Sequence, residues 1–176
     1  MAARGGLRGV THVGNGIPAM VHRHRSVVNG ALAEDSLVAT LICDGVHLPE
    51  HALRVALRAK RRPARRGGGI GAVCVSDAAP VAGMPPGTYR CFDGDVEVRT
   101  DGSVRVPGTE DRFAGSGACM LDCARVLFAL DELSEDELAS VLATGPLELL
   151  GIDPAEAFDG LEHRVSYDPA RGGQAG

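Results

Sequence analysis

The chain has 176 residues, with 18 cationic and 23 anionic side chains, a net charge of −5 with histidine neutral, and a composition that is 44% hydrophobic and 23% charged. That is room for one domain with a real core; it excludes a chain disordered throughout and argues against a general binder of nucleic acid or anionic membrane. Aromatics make up 3%, tryptophan is absent and glycine contributes 24 residues, so the core has to be assembled from Val, Leu, Ala and Ile around tight turns. Five cysteines, three of them inside apolar runs, read as buried thiols of a reducing cytoplasm rather than a disulfide framework. No leader-like segment and no bilayer-length apolar run is visible, so a cytoplasmic protein is expected.

Val10 to Val13 reads as a short strand, followed by a turn over Gly14-Asn15-Gly16-Ile17-Pro18. From Ala19 to Asn29 the cluster His22-Arg23-His24-Arg25 makes a polar loop ready for an anion. Leu37 to Cys43 is wholly apolar, as a strand buried on both faces would be, and it exits into Asp44-Gly45-Val46-His47. Pro49 to Lys60 has helical spacing, with Pro49 and Glu50 suited to a first turn and Arg58 and Lys60 to a last. A basic connector, Arg61 to Gly69, then leads to a second apolar strand, Ile70 to Val75, which ends at Asp77. Strand, helix and strand without alternation form a βαβ unit, whose parallel strands exit on one edge. His12, His47 and Asp77 are therefore expected to share a rim.

After Asp77 the segments 89–92, 96–99 and 104–106 alternate between turn sequences, predicting a small antiparallel excursion over 83–108. Ser116 is a candidate N-cap for a helix from Gly117 to Leu130, and Ser134 opens another. Short helices are expected over 146–151 and 153–158, with a disordered tail over 161–176. Cys119 and Cys123 stand one helical turn apart, a spacing read as packed thiols rather than a metal pair.

Five fragments in order carry a resemblance: Thr11 to Pro18, His22-Arg23, Asp44-Gly45-Val46-His47, Val75-Ser76-Asp77-Ala78 and Ala114-Gly115-Ser116. Together they resemble the C-terminal half of the N-acetylglucosamine-6-phosphate deacetylases of the amidohydrolase superfamily, from about Thr11 to about Ile152. The resemblance implies an α/β fold, a partial (β/α)8 TIM-type barrel consisting of the last three barrel strands with their helices over 1–160, with the antiparallel excursion inserted in it. By the same resemblance His12 is a ligand of a catalytic divalent metal, usually zinc, and Asp77 is the catalytic carboxylate that shuttles protons. Asn15 and Gly16 match the substrate-binding turn, and Arg23 matches the arginine on the sugar phosphate. His47 holds the sugar and polarises the amide, and Phe113, Ala114 and Gly115 lie against the substrate. The implied reaction is metal-assisted hydrolysis of the N-acetyl group to glucosamine 6-phosphate and acetate.

The family's other metal ligands, a glutamate and a histidine, precede the segment matched by Val10-Thr11-His12, so the expected ligand set is incomplete and the product truncated. A catalytic zinc takes about three protein ligands. The expected partners are a phosphorylated N-acetylhexosamine and either a second copy or a complementing N-terminal half. Rival expectations are a non-catalytic sugar-phosphate-binding or interaction remnant of the fold, a deacetylase for the galactosamine analogue, and a nucleic-acid binder acting through the arginine connector.

Overall fold

The two apolar runs become neighbouring strands. In the computed structural model, which describes residues 6–64, 68–91 and 94–160, β2 (Val38–Ile42) and β3 (Ala72–Val75) pair in parallel from Ala39–Ala72 to Ile42–Val75. β1 (Gly9–Val10) lies parallel to β2 on its other edge, giving the order β1-β2-β3. The strand expected over Val10 to Val13 stops at Val10 because His12 turns the backbone to φ +33°. Val13 nonetheless remains tied to β2, its amide donating to the Thr40 carbonyl at 2.9 Å.

Two helices make the crossovers. α2 (Glu50–Lys60) follows the helical spacing read for it, with Leu53, Ala56 and Leu57 buried. α1 (Val27–Ala33) begins inside the Ala19 to Asn29 stretch, which reads as a loop from sequence. Asn29 and Gly30 lower its intrinsic propensity, and what starts it is Ser26, whose hydroxyl accepts the Asn29 amide at 3.2 Å. The sole lysine of the chain, Lys60, is 2% exposed at the end of α2. Its ammonium donates to the carbonyls of Leu37 at 2.7 Å, Glu34 at 2.9 Å and Ala31 at 3.4 Å, closing the end of α1 and its link to β2. Burial pulls its pKa down, with Arg62 adding to the effect.

The remaining helices cover this sheet. α3 (Met120–Leu130) buries Cys123, Leu127 and Leu130. It begins three residues later than expected, with Cys119 rather than Ser116 at its N-cap. α4 (Glu135–Ala139) starts with reciprocal bonds between Ser134 and Glu137, runs through a wide π-type turn over Ser140–Thr144 and continues as α5 (Gly145–Leu150). Gly145 sits where a Cβ would approach the Ser140 carbonyl to 2.5 Å and the Val73 side chain to 3.1 Å. α6 (Pro154–Ala157) follows. Glu132 joins α2 to the end of α3 by accepting from Arg54 and Arg58, and Arg58 first among its partners holds its carboxyl down at about 2. The core comprises Leu41, Leu53, Leu57, Leu127 and Val141 with their buried neighbours.

A second sheet is antiparallel, in the order β4 (Gly87–Cys91), β5 (Gly94–Val98), β6 (Ser103–Arg105), β7 (Phe113–Ser116). The first three strands match the hairpins read over 83–108. β7 does not: Ser116 reads from sequence as a helix N-cap, yet Phe113 to Ser116 form a strand because they pair with β6 at Ser103–Ser116 and Arg105–Phe113. This sheet has its own small core of Ala79, Val81, Cys91, Val96, Val98 and Val104. The described residues therefore form a mixed α/β structure, with one parallel and one antiparallel sheet. No helix among the described residues is long and apolar enough to cross a membrane. The expected tail over 161–176, the middle of the arginine connector at 65–67 and the turn at 92–93 lie outside the described residues.

Candidate active site

The three parallel strands release His12, His47 and Asp77 from their ends, and all three side chains line one cavity of about 720 Å³, a size suited to a small-molecule ligand. Asn15, Gly16, Phe113 and Gly115 line it too. Two of these strand-exit residues have left-handed backbones unusual for a side-chain-bearing residue, His12 at φ +33° and Asp77 at φ +52°.

His12 is held by its amide, which donates to the Thr40 hydroxyl at 2.6 Å, while its Nδ1 is buried without a hydrogen-bond partner among the described residues. Asn15 closes the turn by donating its amide to the His12 carbonyl at 2.9 Å, and its side-chain Nδ2 is likewise buried and unpaired. Gly16 lets this turn fold onto the imidazole: its φ is +64°, and a Cβ there would come within 3.2 Å of His12 Cε1. Two orphaned polar atoms on one cavity wall are the pattern a ligand would satisfy.

Asp77 is exposed, and its carboxylate makes no hydrogen bond or ion pair with the described residues. Its carbonyl accepts the Ser116 amide at 2.7 Å, and the Ala79 amide donates to Ser116 at 2.8 Å. This pair of bonds seats β7 against the exit of β3. Gly115 is needed there, since a Cβ would meet the Asp77 carbonyl at 3.1 Å.

His47 is nearly enclosed. Its ring lies 4.1 Å from that of Phe113 between centroids, tilted by 33°, and the Arg105 guanidinium lies 4.2 Å from the Phe113 centroid. Its Nδ1 is 2.7 Å from Asp44 Oδ2. Burial alone would raise the Asp44 carboxyl, but donors from His47, Val46 and Ser116 outweigh it and hold the group down at about 2.

Two resemblance-derived positions are not on the cavity wall. Arg23 is exposed in the loop before α1, where its carbonyl accepts the Asn29 side-chain amide at 3.2 Å. Ala114 instead packs against the core of the antiparallel sheet. Conversely, the cavity is lined by Asp111 and Arg112, which sequence reasoning did not single out. From sequence Asp44 reads only as part of a strand exit; its spacing of three to His47 is the available signal.

Tested against a divalent metal, the arrangement falls short. His12 offers an unpaired buried nitrogen, yet among the described residues no group of three His, Cys, Asp or Glu side chains could hold an ion. Cys119 and Cys123 do not supply one: Cys119 is exposed and donates to Asp122 at 3.1 Å, while Cys123 is buried with its thiol pushed up by Cys74 and by burial.

No family model matches the chain. Curated relatives do: N-acetylglucosamine-6-phosphate deacetylase of Bacillus subtilis is 29% identical over 151 residues, and that of Bos taurus 30% identical over 158. Each alignment covers 86% of this chain and 36% of the relative. Among solved structures, N-acetylglucosamine-6-phosphate deacetylase of Thermotoga maritima superposes with a TM-score of 0.71 at 28% identity, covering 85% of this chain and 38% of that one. The chain is thus a homologue of the N-acetylglucosamine-6-phosphate deacetylases, spanning about 36% of the length of the curated relatives it matches.

Proposed function

We propose that this chain forms the substrate-facing part of a deacetylase site for a phosphorylated N-acetylhexosamine, N-acetylglucosamine 6-phosphate before its galacto analogue. The observation that carries the reading is the meeting of His12, His47 and Asp77 on one cavity. The parallel layer is read as neighbouring strands of a (β/α)8 barrel, in which strand ends aim side chains at a common mouth. Five free cysteines fit a reducing, cytoplasmic setting.

Hydrolysis joins a water oxygen to the acetyl carbon and breaks the carbon–nitrogen bond, with a proton passing to the departing amine. Asp77, whose carboxylate has no competing partner, is placed to take a proton from the attacking water and return it to nitrogen. His47 and Asn15 hold the sugar. For the phosphate, the resemblance names Arg23 and the cavity wall offers Arg112. His12 is one proposed donor to a divalent metal, zinc by resemblance; since the described residues do not complete its site, the other donors would come from a complementing N-terminal half.

The test is acetate release from N-acetylglucosamine 6-phosphate by the chain with zinc, compared with Asp77→Asn. Release lost in the variant supports catalysis, whereas equal background release from both overturns it. The incomplete donor set favours one second reading, a sugar-phosphate-binding module without hydrolysis. Calorimetry separates the two: binding that survives Asp77→Asn but is lost in Arg112→Ala or Arg23→Ala, without acetate release, selects the module.

A further inference from the structure

Four hydrogen-bond donors converge on the Asp44 carboxylate. Oδ1 accepts the amides of Val46 and His47, each at 2.9 Å. Oδ2 accepts the Ser116 hydroxyl at 2.8 Å and lies 2.7 Å from His47 Nδ1. The Ser116 oxygen in turn accepts the Ala118 amide at 3.0 Å, so its only proton is committed to Asp44. Both side chains of the Asp44–His47 pair are almost wholly buried, at 3% and 2% exposure. Ser116 stands 72 residues away on the strand that walls the cavity, so the contact joins the two sheets.

We propose that Asp44, supported by Ser116, is a positioning residue that keeps a proton on His47 Nδ1 and so sets Nε2 toward the cavity, where the neutral ring carries its lone pair. An ionised carboxylate accepts and never donates, so the proton shared at 2.7 Å resides on Nδ1. A neutral imidazole carries one ring proton, which leaves Nε2 an acceptor. Phe113, stacked 4.1 Å away, limits rotation of the ring. While neutral, His47 then accepts from a ligand hydroxyl or N–H through Nε2; it donates to a carbonyl oxygen, the role the resemblance implies, only in its protonated form. Applied to a sugar ligand, this rests on the function proposed above; the tautomer itself does not.

The test is long-range proton–nitrogen NMR of the labelled chain at mildly alkaline pH, where an unperturbed imidazole is neutral, with His47 assigned through His47→Gln. The expected spectrum has a protonated Nδ1 and a bare Nε2. In Asp44→Asn the two backbone amides require the carboxamide oxygen at the Oδ1 place, so its NH2 faces His47 Nδ1 and drives the proton to Nε2. A protonated Nε2 in the unaltered chain, or an unchanged tautomer in folded Asp44→Asn, overturns the proposal. The first of these readings needs no Asp44 variant, so a failure of Asp44→Asn to fold does not shelter it. Calorimetry adds a separate arm: affinity for N-acetylglucosamine 6-phosphate should fall about tenfold in Asp44→Asn. Absence of that ligand's binding to the unaltered chain would count against the sugar-phosphate reading while leaving the tautomer result standing.

Discussion

The parallel and antiparallel sheets meet at one cavity but are built on different terms. The parallel layer buries its strands between helices, keeps its polar groups for the strand ends and closes its one buried ammonium with three carbonyls. By contrast, the antiparallel sheet has a core of only a few small residues and depends on β7 being hooked to Asp77 and Asp44. One layer is a platform that sets where the chemical groups emerge. The other is a wall whose position is conditional on a few hydrogen bonds, and the cavity exists only while both hold.

That contrast can be broken in graded ways. Leu57→Ala removes a fully buried platform side chain and should lower unfolding free energy by about 2–5 kcal/mol in urea titrations. Val104→Ala in the wall should cost about 2 kcal/mol or less, and hydrogen exchange should show it loosening β4–β7 while β2 amides stay protected. Equal loosening of both sheets would mean a single cooperative unit and erase the distinction. Lys60→Met leaves three carbonyls without their donor and should cost roughly 1–3 kcal/mol, seen first as exchange in α1.

Acid probes the seam between the layers. Asp44 has its carboxyl held at about 2 against an ordinary 3.8, so its contribution is complete above about pH 4 and is lost as the pH falls through about 2. That lowered carboxyl contributes on the order of 2 kcal/mol, and Asp44→Asn should remove that part of the acid dependence in chemical unfolding. Ser116→Ala should cost about 1 kcal/mol and increase exchange at β7 more than at β3. The smallest effect concerns thiols. Of five cysteines only Cys119 is exposed, so a thiol reagent should label one group quickly in the native chain and the other four only on unfolding.

Legibility from sequence followed the range of the cause. The two apolar strands, α2 and the hairpins were readable because their patterns repeat every two or every three to four residues within the segment itself. Ser134 and its partner Glu137 likewise announce a helix start locally. α1 was hidden by Asn29 and Gly30, which weaken the helical signal that Ser26 then rescues. β7 has no alternation to read; Phe-Ala-Gly-Ser becomes a strand only when β6 lies beside it. In the site, the strand-exit positions of His12, His47 and Asp77 were anticipated from topology, whereas Arg112 on the wall and Arg23 away from it were not.

Local order in the amino-acid chain is sufficient for the βαβ rhythm, the polar exits and the motifs that tie this protein to its deacetylase relatives, because each depends on residues a turn or a strand apart. The Ser116–Asp44 hydrogen bond, which ties the local Asp44–His47 pair to β7, and the wall that closes the cavity arise only when distant segments are brought together. Long-range contacts such as Ser116 on Asp44 and Phe113 on the His47 ring hold that local pair in place through three-dimensional contact, which no spacing along the chain encodes.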